Sequence, residues 1–269
     1  MKIKVAAIQL QAIWGEKAHN LQRAEAIMED AISAGADFLV LPELWNTGYD
    51  TEHFSDLPGL AEEGKGPGLS FLKEFSKRHK VFIGGGSMVE ARHGNLYNTS
   101  FFIAPDGEIL GKYRKTHLFG QEKEYFSPGE EWMIVEDEER LGNLRVGMAV
   151  CYDLRFPELF RNMVLRGARL FTLPVAWPSI RESEYILLAR ARASENRSIL
   201  VSANLSNPQK TLAGKSLVVS QFGEVLDCCT EAEGYAAASI DLTELLDPQK
   251  FFPLNDRRQF LDEIDNNLL

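Results

Sequence analysis

The sequence predicts an α/β protein in which two β-sheets pack face to face with helices outside, in one domain spanning residues 1–269. Three observations carry this. Strand-like runs are too numerous for one small sheet. Helical periodicity appears both early and late in the chain. Several runs are almost wholly apolar, as strands covered on both faces are. Composition agrees, because 269 residues with 45% hydrophobic and 25% charged content form a sizeable core. A disordered, collagen-like or coiled-coil chain is excluded.

Taken in order, residues 3–9 (IKVAAIQ) form the opening strand. From about Asn20, Leu21, Ala24, Ile27/Met28 and Ala31 recur at helical spacing, with Gly35 placed to stop the helix. Asp37–Leu41 (DFLVL) is a strand buried on both faces. A helix follows Pro67, with Leu69, Leu72 and Phe75 on one side, and Val81–Gly85 is again a buried strand. Leu96–Ala104 enters the turn Pro105-Asp106-Gly107 and leaves along Glu108–Lys112. A loop from Tyr113 to Glu130 precedes strands at 132–135 and 144–150. Between these, the acidic run Glu136–Glu139 is expected at a solvated hairpin tip. Helix 156–166, strand 168–173 and helix 181–197 follow. Strands at 199–205, 212–220, 224–228 and 235–240 close the chain.

Several function classes drop out. With 29 basic against 39 acidic residues the net charge is −10, and no local basic patch offsets it, so neither nucleic acid nor an anionic membrane is an expected partner. No stretch approaches the apolar length of a membrane span, and Met1-Lys2-Ile3-Lys4-Val5 runs into a strand rather than a signal core. Three cysteines, Cys151, Cys228 and Cys229, make no disulfide framework, and a cytoplasmic protein is expected. Gly59 to Lys65 has phosphate-loop glycine and lysine spacing, but Gly66 stands where Ser or Thr would hold magnesium. Gly84-Gly85-Gly86 is better explained by close backbone approach at a strand end. Five histidines at 19, 53, 79, 93 and 117 show no metal-ligand spacing, so no metal is expected.

Three strands instead end in an ionisable residue where a core residue would be expected. Leu41-Pro42-Glu43-Leu44-Trp45 places a carboxylate among apolar side chains, which suits proton transfer near neutrality. Tyr113-Arg114-Lys115-Thr116-His117-Leu118-Phe119 presents a cation followed by apolar residues. In Gly147 to Glu158 a strand ends at Cys151 and a helix starts about five residues later. A cysteine on such a turn can be held next to free backbone N–H groups, its thiolate favoured by a nearby ammonium. Each residue alone has a plainer reading as core, cap or solvated side chain.

Together, Pro42-Glu43-Leu44, Tyr113-Arg114-Lys115-Thr116-His117-Leu118-Phe119 and Cys151-Tyr152-Asp153-Leu154-Arg155-Phe156-Pro157-Glu158 closely resemble, in order, the three signature segments of the nitrilase superfamily of carbon–nitrogen hydrolases. The resemblance extends from the opening strand to Gly214-Lys215-Ser216 and implies a four-layer α-β-β-α sandwich. It implies Glu43 as general base, Lys115 as the neighbouring cation and Cys151 as nucleophile. It also implies a second glutamate six residues before Pro128, which matches Glu122, with Glu124 as the close alternative. The implied reaction is amide hydrolysis through a cysteine thioester, with the Tyr152 N–H and Lys115 holding the oxyanion and no cofactor.

Cys151 to Glu158, with Ala176-Trp177-Pro178 and Leu187 to Arg197, resembles the ω-amidase-like branch, which cleaves dicarboxylic monoamides; relatives there often carry His-Trp where this chain has Glu184-Tyr185. A free carboxylate on the substrate needs a cation. Arg155 is the first candidate and Arg181 the second, the alternative for Arg155 being a structural pair with Glu158 or another acid. Trp177, Phe119 and Tyr49 are candidate pocket walls, although such aromatics equally serve a core. A broader amidase, an N-carbamoyl hydrolase or a nitrilase is the alternative within enzymes, and a non-catalytic binding protein is the alternative outside them. A homodimer is expected, with Phe251, Phe252, Pro253 and Leu254 in the tail (about 248–269) offering a partner surface or equally covering the subunit's own core.

Overall fold

Two six-stranded mixed sheets form the centre of the molecule. The structure, a computed structural model, describes residues 2–64, 66–251 and 254. The first sheet has the order β12-β1-β2-β3-β4-β5, made from Gly234–Asp241, Lys2–Gln9, Phe38–Val40, Phe82–Arg92, Asn95–Ile103 and Ile109–Arg114. The second has the order β11-β10-β9-β8-β7-β6, made from Val225–Cys228, Leu217–Val219, Ile199–Asn204, Ala168–Val175, Arg145–Met148 and Met133–Val135. In each sheet three central strands are parallel, β1-β2-β3 and β7-β8-β9, and the remaining strands pair antiparallel.

Alternation along the strands builds the layers. In β1, Ile3, Val5 and Ala7 join the core shared with the second sheet, whereas Ala6 and Ile8 face the helices. In β2, Phe38 and Val40 point inward and Leu39 points to the helix side. Helices α1 (Lys17–Ser33) and α2 (Pro67–His79) cover the first sheet through Ala24, Ile27, Met28 and Ala31, and through Leu69, Leu72 and Phe75. Helices α3 (Pro157–Leu165) and α4 (Glu182–Asn196) cover the second through Phe160, Met163 and Val164, and through Tyr185, Ala189 and Ala193. The result is the four-layer α-β-β-α sandwich.

Several elements depart from expectation, each for a local reason. Helix α1 begins at Lys17, ahead of Asn20, whose side chain is fixed to both backbone groups of Ile13. Strand β3 does not stop at Gly85 but runs to Arg92, with a register shift between Gly84 and Ser87. The glycine triplet therefore sits at a bulge within a strand rather than at its end. The expected strand 212–220 shrinks to Leu217–Val219, because Gly214 and Lys215 adopt φ of 60° and 56° and break the extended chain. The acidic tip contains a helical turn, Glu138–Leu141, capped by Asp137 accepting from the Arg140 N–H. In the tail, Leu254 is buried in the core cluster and so covers the chain's own core, one of the two roles expected of these residues, while the Phe251 side chain lies outside what is described. Phe252 and Pro253, and residues 255–269, lie outside the described residues.

Candidate active site

The site forms at the C-terminal ends of strands from both sheets. Glu43 follows β2, Cys151 follows β7, Ala176 and Trp177 follow β8, and Lys115 follows β5. Lys115 continues the β5 alternation, so it shares the buried side with Tyr113 while Arg114 turns outward to Glu90. Glu43 is held by the bulge beside it. The Ser87 N–H donates to the Pro42 carbonyl at 3.0 Å, the Leu44 N–H donates to Ser87 Oγ at 3.0 Å, and the Trp45 indole donates to the Gly85 carbonyl at 2.9 Å. Leu44 (φ 44°) and Cys151 (φ 48°) both take the left-handed conformation that side chains disfavour. Strain of this kind is maintained only where the surroundings enforce it.

Glu43, Lys115 and Glu122 are fully buried and form one hydrogen-bonded group. Lys115 Nζ donates to Glu43 Oε1 and to Glu122, each at 2.8 Å. Glu43 Oε1 also accepts from Asn98 Nδ2 at 2.9 Å, and its Oε2 accepts from the Ala176 N–H at 3.0 Å. Glu122 Oε2 accepts from the Phe119 N–H at 2.7 Å, and the Tyr49 hydroxyl lies 3.4 Å from its Oε1. Glu124, by contrast, is exposed on the same helical turn, Glu122–Tyr125. Of the two glutamates only Glu122 reaches the lysine.

Burial alone would lower the Lys115 ammonium, but Glu122 and Glu43 reverse this and hold it well above its ordinary range. Burial, together with Glu43, raises the Glu122 carboxyl despite the lysine. The Cys151 thiol is pushed well up, first by burial and then by the Glu43 carboxylate, against the weaker pull of Lys115. The resting thiol is therefore protonated. The pull of Lys115 toward the thiolate is present but is outweighed by burial and by Glu43, in keeping with Glu43 as the base.

Asp153 joins the cysteine turn to the lysine loop. Buried, it accepts from the Val150 N–H (2.8 Å), Tyr113 Oη (2.8 Å), Thr116 Oγ1 (3.2 Å) and both the N–H and Nδ1 of His117 (3.2 and 2.7 Å). From the other side, Arg192 Nε donates to the Leu154 carbonyl at 3.0 Å and fixes the turn to α4. Sequence reading did not single out Asn98 or Asp153. Each is a polar residue inside a buried segment, a signal weak without knowing what lies opposite.

Cys151 lies in a pocket of about 140 Å³ whose walls include Tyr49, Phe119, Tyr152, Arg155 and Trp177, with Arg181 and Leu212 beyond them. All five candidate substrate-contact residues therefore converge on the cysteine. Trp177 serves the core as well, being buried with its ring tilted against Tyr185, centroids 5.6 Å apart. Arg155 does not pair with Glu158; its guanidinium takes Glu184 instead, with Nη1–Oε1 and Nη2–Oε2 at 2.5 and 2.8 Å. Glu158 is exposed on α3. Among the described residues, no three His, Cys, Asp or Glu side chains cluster so as to hold a metal ion, and no helix is long and apolar enough to cross a membrane.

Comparison with known proteins agrees with this architecture. Residues 4–246 match the carbon–nitrogen hydrolase family. A 2-oxoglutaramate amidase of Bacillus subtilis is 35% identical, with 95% of this chain and 97% of that protein covered. The omega-amidase NIT2 of Bos taurus is 34% identical, with 97% of each covered. Among solved structures, Saccharomyces cerevisiae Nit3 superposes with a TM-score of 0.87 at 30% identity, covering 96% of this chain and 97% of that one. An amidase of Nesterenkonia, solved in complex with butyramide, gives 0.82 at 26% identity over 99% and 97%. With a family match across most of its length and relatives this similar, the chain belongs to the carbon–nitrogen hydrolases of the nitrilase superfamily, enzymes acting on carbon–nitrogen bonds other than peptide bonds.

Proposed function

We propose that this enzyme is an ω-amidase, releasing ammonia from a short dicarboxylic monoamide. The observation that carries it is the closed group Glu43–Lys115–Glu122 together with Cys151, which lines a pocket bordered by two arginines. A pocket of about 140 Å³ suits a substrate of few heavy atoms, being well below the roughly 300–1,000 Å³ of sites for larger ligands. The names of the B. subtilis and B. taurus relatives support the same substrate class.

The geometry supports the following chemistry. Glu43 takes the thiol proton as Sγ attacks the amide carbonyl, so no preformed thiolate is needed. The oxyanion is received by Lys115, whose ammonium retains donor capacity beyond its two carboxylates, and by the Tyr152 N–H. Glu43 passes the proton to the leaving nitrogen; the C–N bond breaks, ammonia departs and a thioester remains. Water then attacks, giving its proton to Glu43. Collapse releases the carboxylic acid and returns the proton to Sγ. Glu122 orients the lysine throughout and needs no proton change of its own. No step calls on a cofactor.

Ammonia release from 2-oxoglutaramate, succinamate, butyramide, an N-carbamoyl amino acid and a nitrile tests the proposal. The acidic monoamides should be preferred; preference for another member overturns the substrate and leaves the mechanism. One observation favours a second reading, a neutral short amide: Arg155 already has a carboxylate partner in Glu184. The proposal extends to a cytoplasmic homodimer. It is supported by three free thiols and by Ile180, Leu187 and Phe222, which are exposed at or near α4.

A further inference from the structure

Glu184 lies in the first turn of α4, and its two oxygens take the two Nη donors of Arg155, a pocket-lining residue, at 2.5 and 2.8 Å. Arg155 is also set over two aromatic faces, its Cζ 5.0 Å from the Trp177 centroid and 5.6 Å from that of Tyr152. The guanidinium is thus held in place, and its Nη1/Nη2 edge is occupied. We propose that Glu184 is an internal stand-in for the substrate carboxylate, which must displace it from Arg155, so that Glu184 sets the discrimination between acidic and neutral amides. This rests on the acidic-monoamide reading above.

The exchange is physically feasible. A guanidinium edge takes one carboxylate at a time in bidentate geometry. The Arg155 and Glu184 side chains are 22% and 41% exposed, and ion pairs this accessible to water contribute little net stability. Glu184 is not stranded when displaced. It stays in the first turn of a helix, where an anion is favoured, and Arg181 lies near enough to act on its charge. A neutral amide leaves the pair untouched and gains nothing from Arg155. A small stray anion must compete with Glu184 before it can occupy the pocket, so the same side chain screens the cation.

The test compares the wild-type enzyme with Glu184→Gln, which keeps the shape and removes the charge. The ratio of kcat/KM for succinamate to that for butyramide should rise about threefold to tenfold, through KM for succinamate. The calorimetric Kd for succinate should fall by a similar factor. Glu184→Asp, too short to hold both nitrogens, should move both readings the same way by less. A ratio and a Kd that stay level or move the other way overturn the exchange and make Glu184 a support for Arg155 or a bystander. A wild-type enzyme that hydrolyses butyramide but not succinamate overturns the acidic-monoamide reading instead. The succinate Kd then still decides the inference, since it needs no turnover: tightening in Glu184→Gln supports it and no tightening overturns it.

Discussion

At the scale of single residues, the site is governed by competition between burial and charge. Lys115 keeps its proton because two carboxylates at 2.8 Å outweigh its removal from water. Cys151 keeps its proton because burial and Glu43 outweigh Lys115. Alkylation by iodoacetamide should therefore keep accelerating as pH rises past about 8.5, the ordinary thiol value, with no plateau near neutrality. In Glu43→Gln the alkylation profile should move to lower pH while turnover collapses. A base that is only structural would not separate the two. Cys151→Ala should lower kcat by about 10⁴-fold or more while the melting temperature stays within a few degrees. Retained turnover would remove the cysteine from the nucleophile's role. Lys115→Arg should lower kcat by about 100-fold or more, because a planar guanidinium does not fit the space of a buried ammonium; a steady-state assay of the folded variant checks this.

At the scale of elements, the bulge in β3 and the Asp153 turn do the positioning. Gly86 has φ 63°, and a Cβ there would lie 2.2 Å from the Pro42 carbonyl oxygen, immediately before Glu43. Gly86→Ala should destabilise the fold by about 2 kcal/mol or more in urea unfolding and should depress kcat as well, by moving Glu43. A variant with ordinary stability and full kcat would show that the loop is not gripped as described. The glycine triplet was visible in the sequence as a point of close approach, but its place inside a strand was not. A register shift depends on the partner strand, which local pattern does not specify. The truncated strand at 217–219 has a similar origin, since two left-handed residues just before it, one of them Lys215, delay its start. Lysine carries no such signal.

At the scale of the whole molecule, the two sheets bring together segments separated by more than a hundred residues: Glu43 accepts from the N–H of Ala176 in the other sheet's strand end. Light scattering should give twice the 30.2 kDa mass of the chain, and Leu187→Lys should shift it toward the monomer. An unchanged mass in that variant would place the dimer contact elsewhere. Activity should withstand EDTA, because every step of the proposed cycle uses side chains and water; loss of turnover on chelation contradicts that cycle.

The sequence by itself determined the layer architecture, through alternation in β1 and β2 and helical spacing in α1 and α2, because each pattern reports burial residue by residue. It also determined which chemical groups stand at the strand ends, since Glu43, Lys115 and Cys151 interrupt apolar runs within motifs that are specific jointly. Tertiary structure alone decided what those groups meet. It selected Glu122 over Glu124, because one faces Lys115 and the other faces water. It pushed the Cys151 thiol up, because burial and Glu43 outweigh the ammonium. It gave Arg155 to Glu184, 29 positions along the chain, rather than to Glu158. Proton affinity and ion pairing depend on distances across the fold, and a linear pattern carries no such distances.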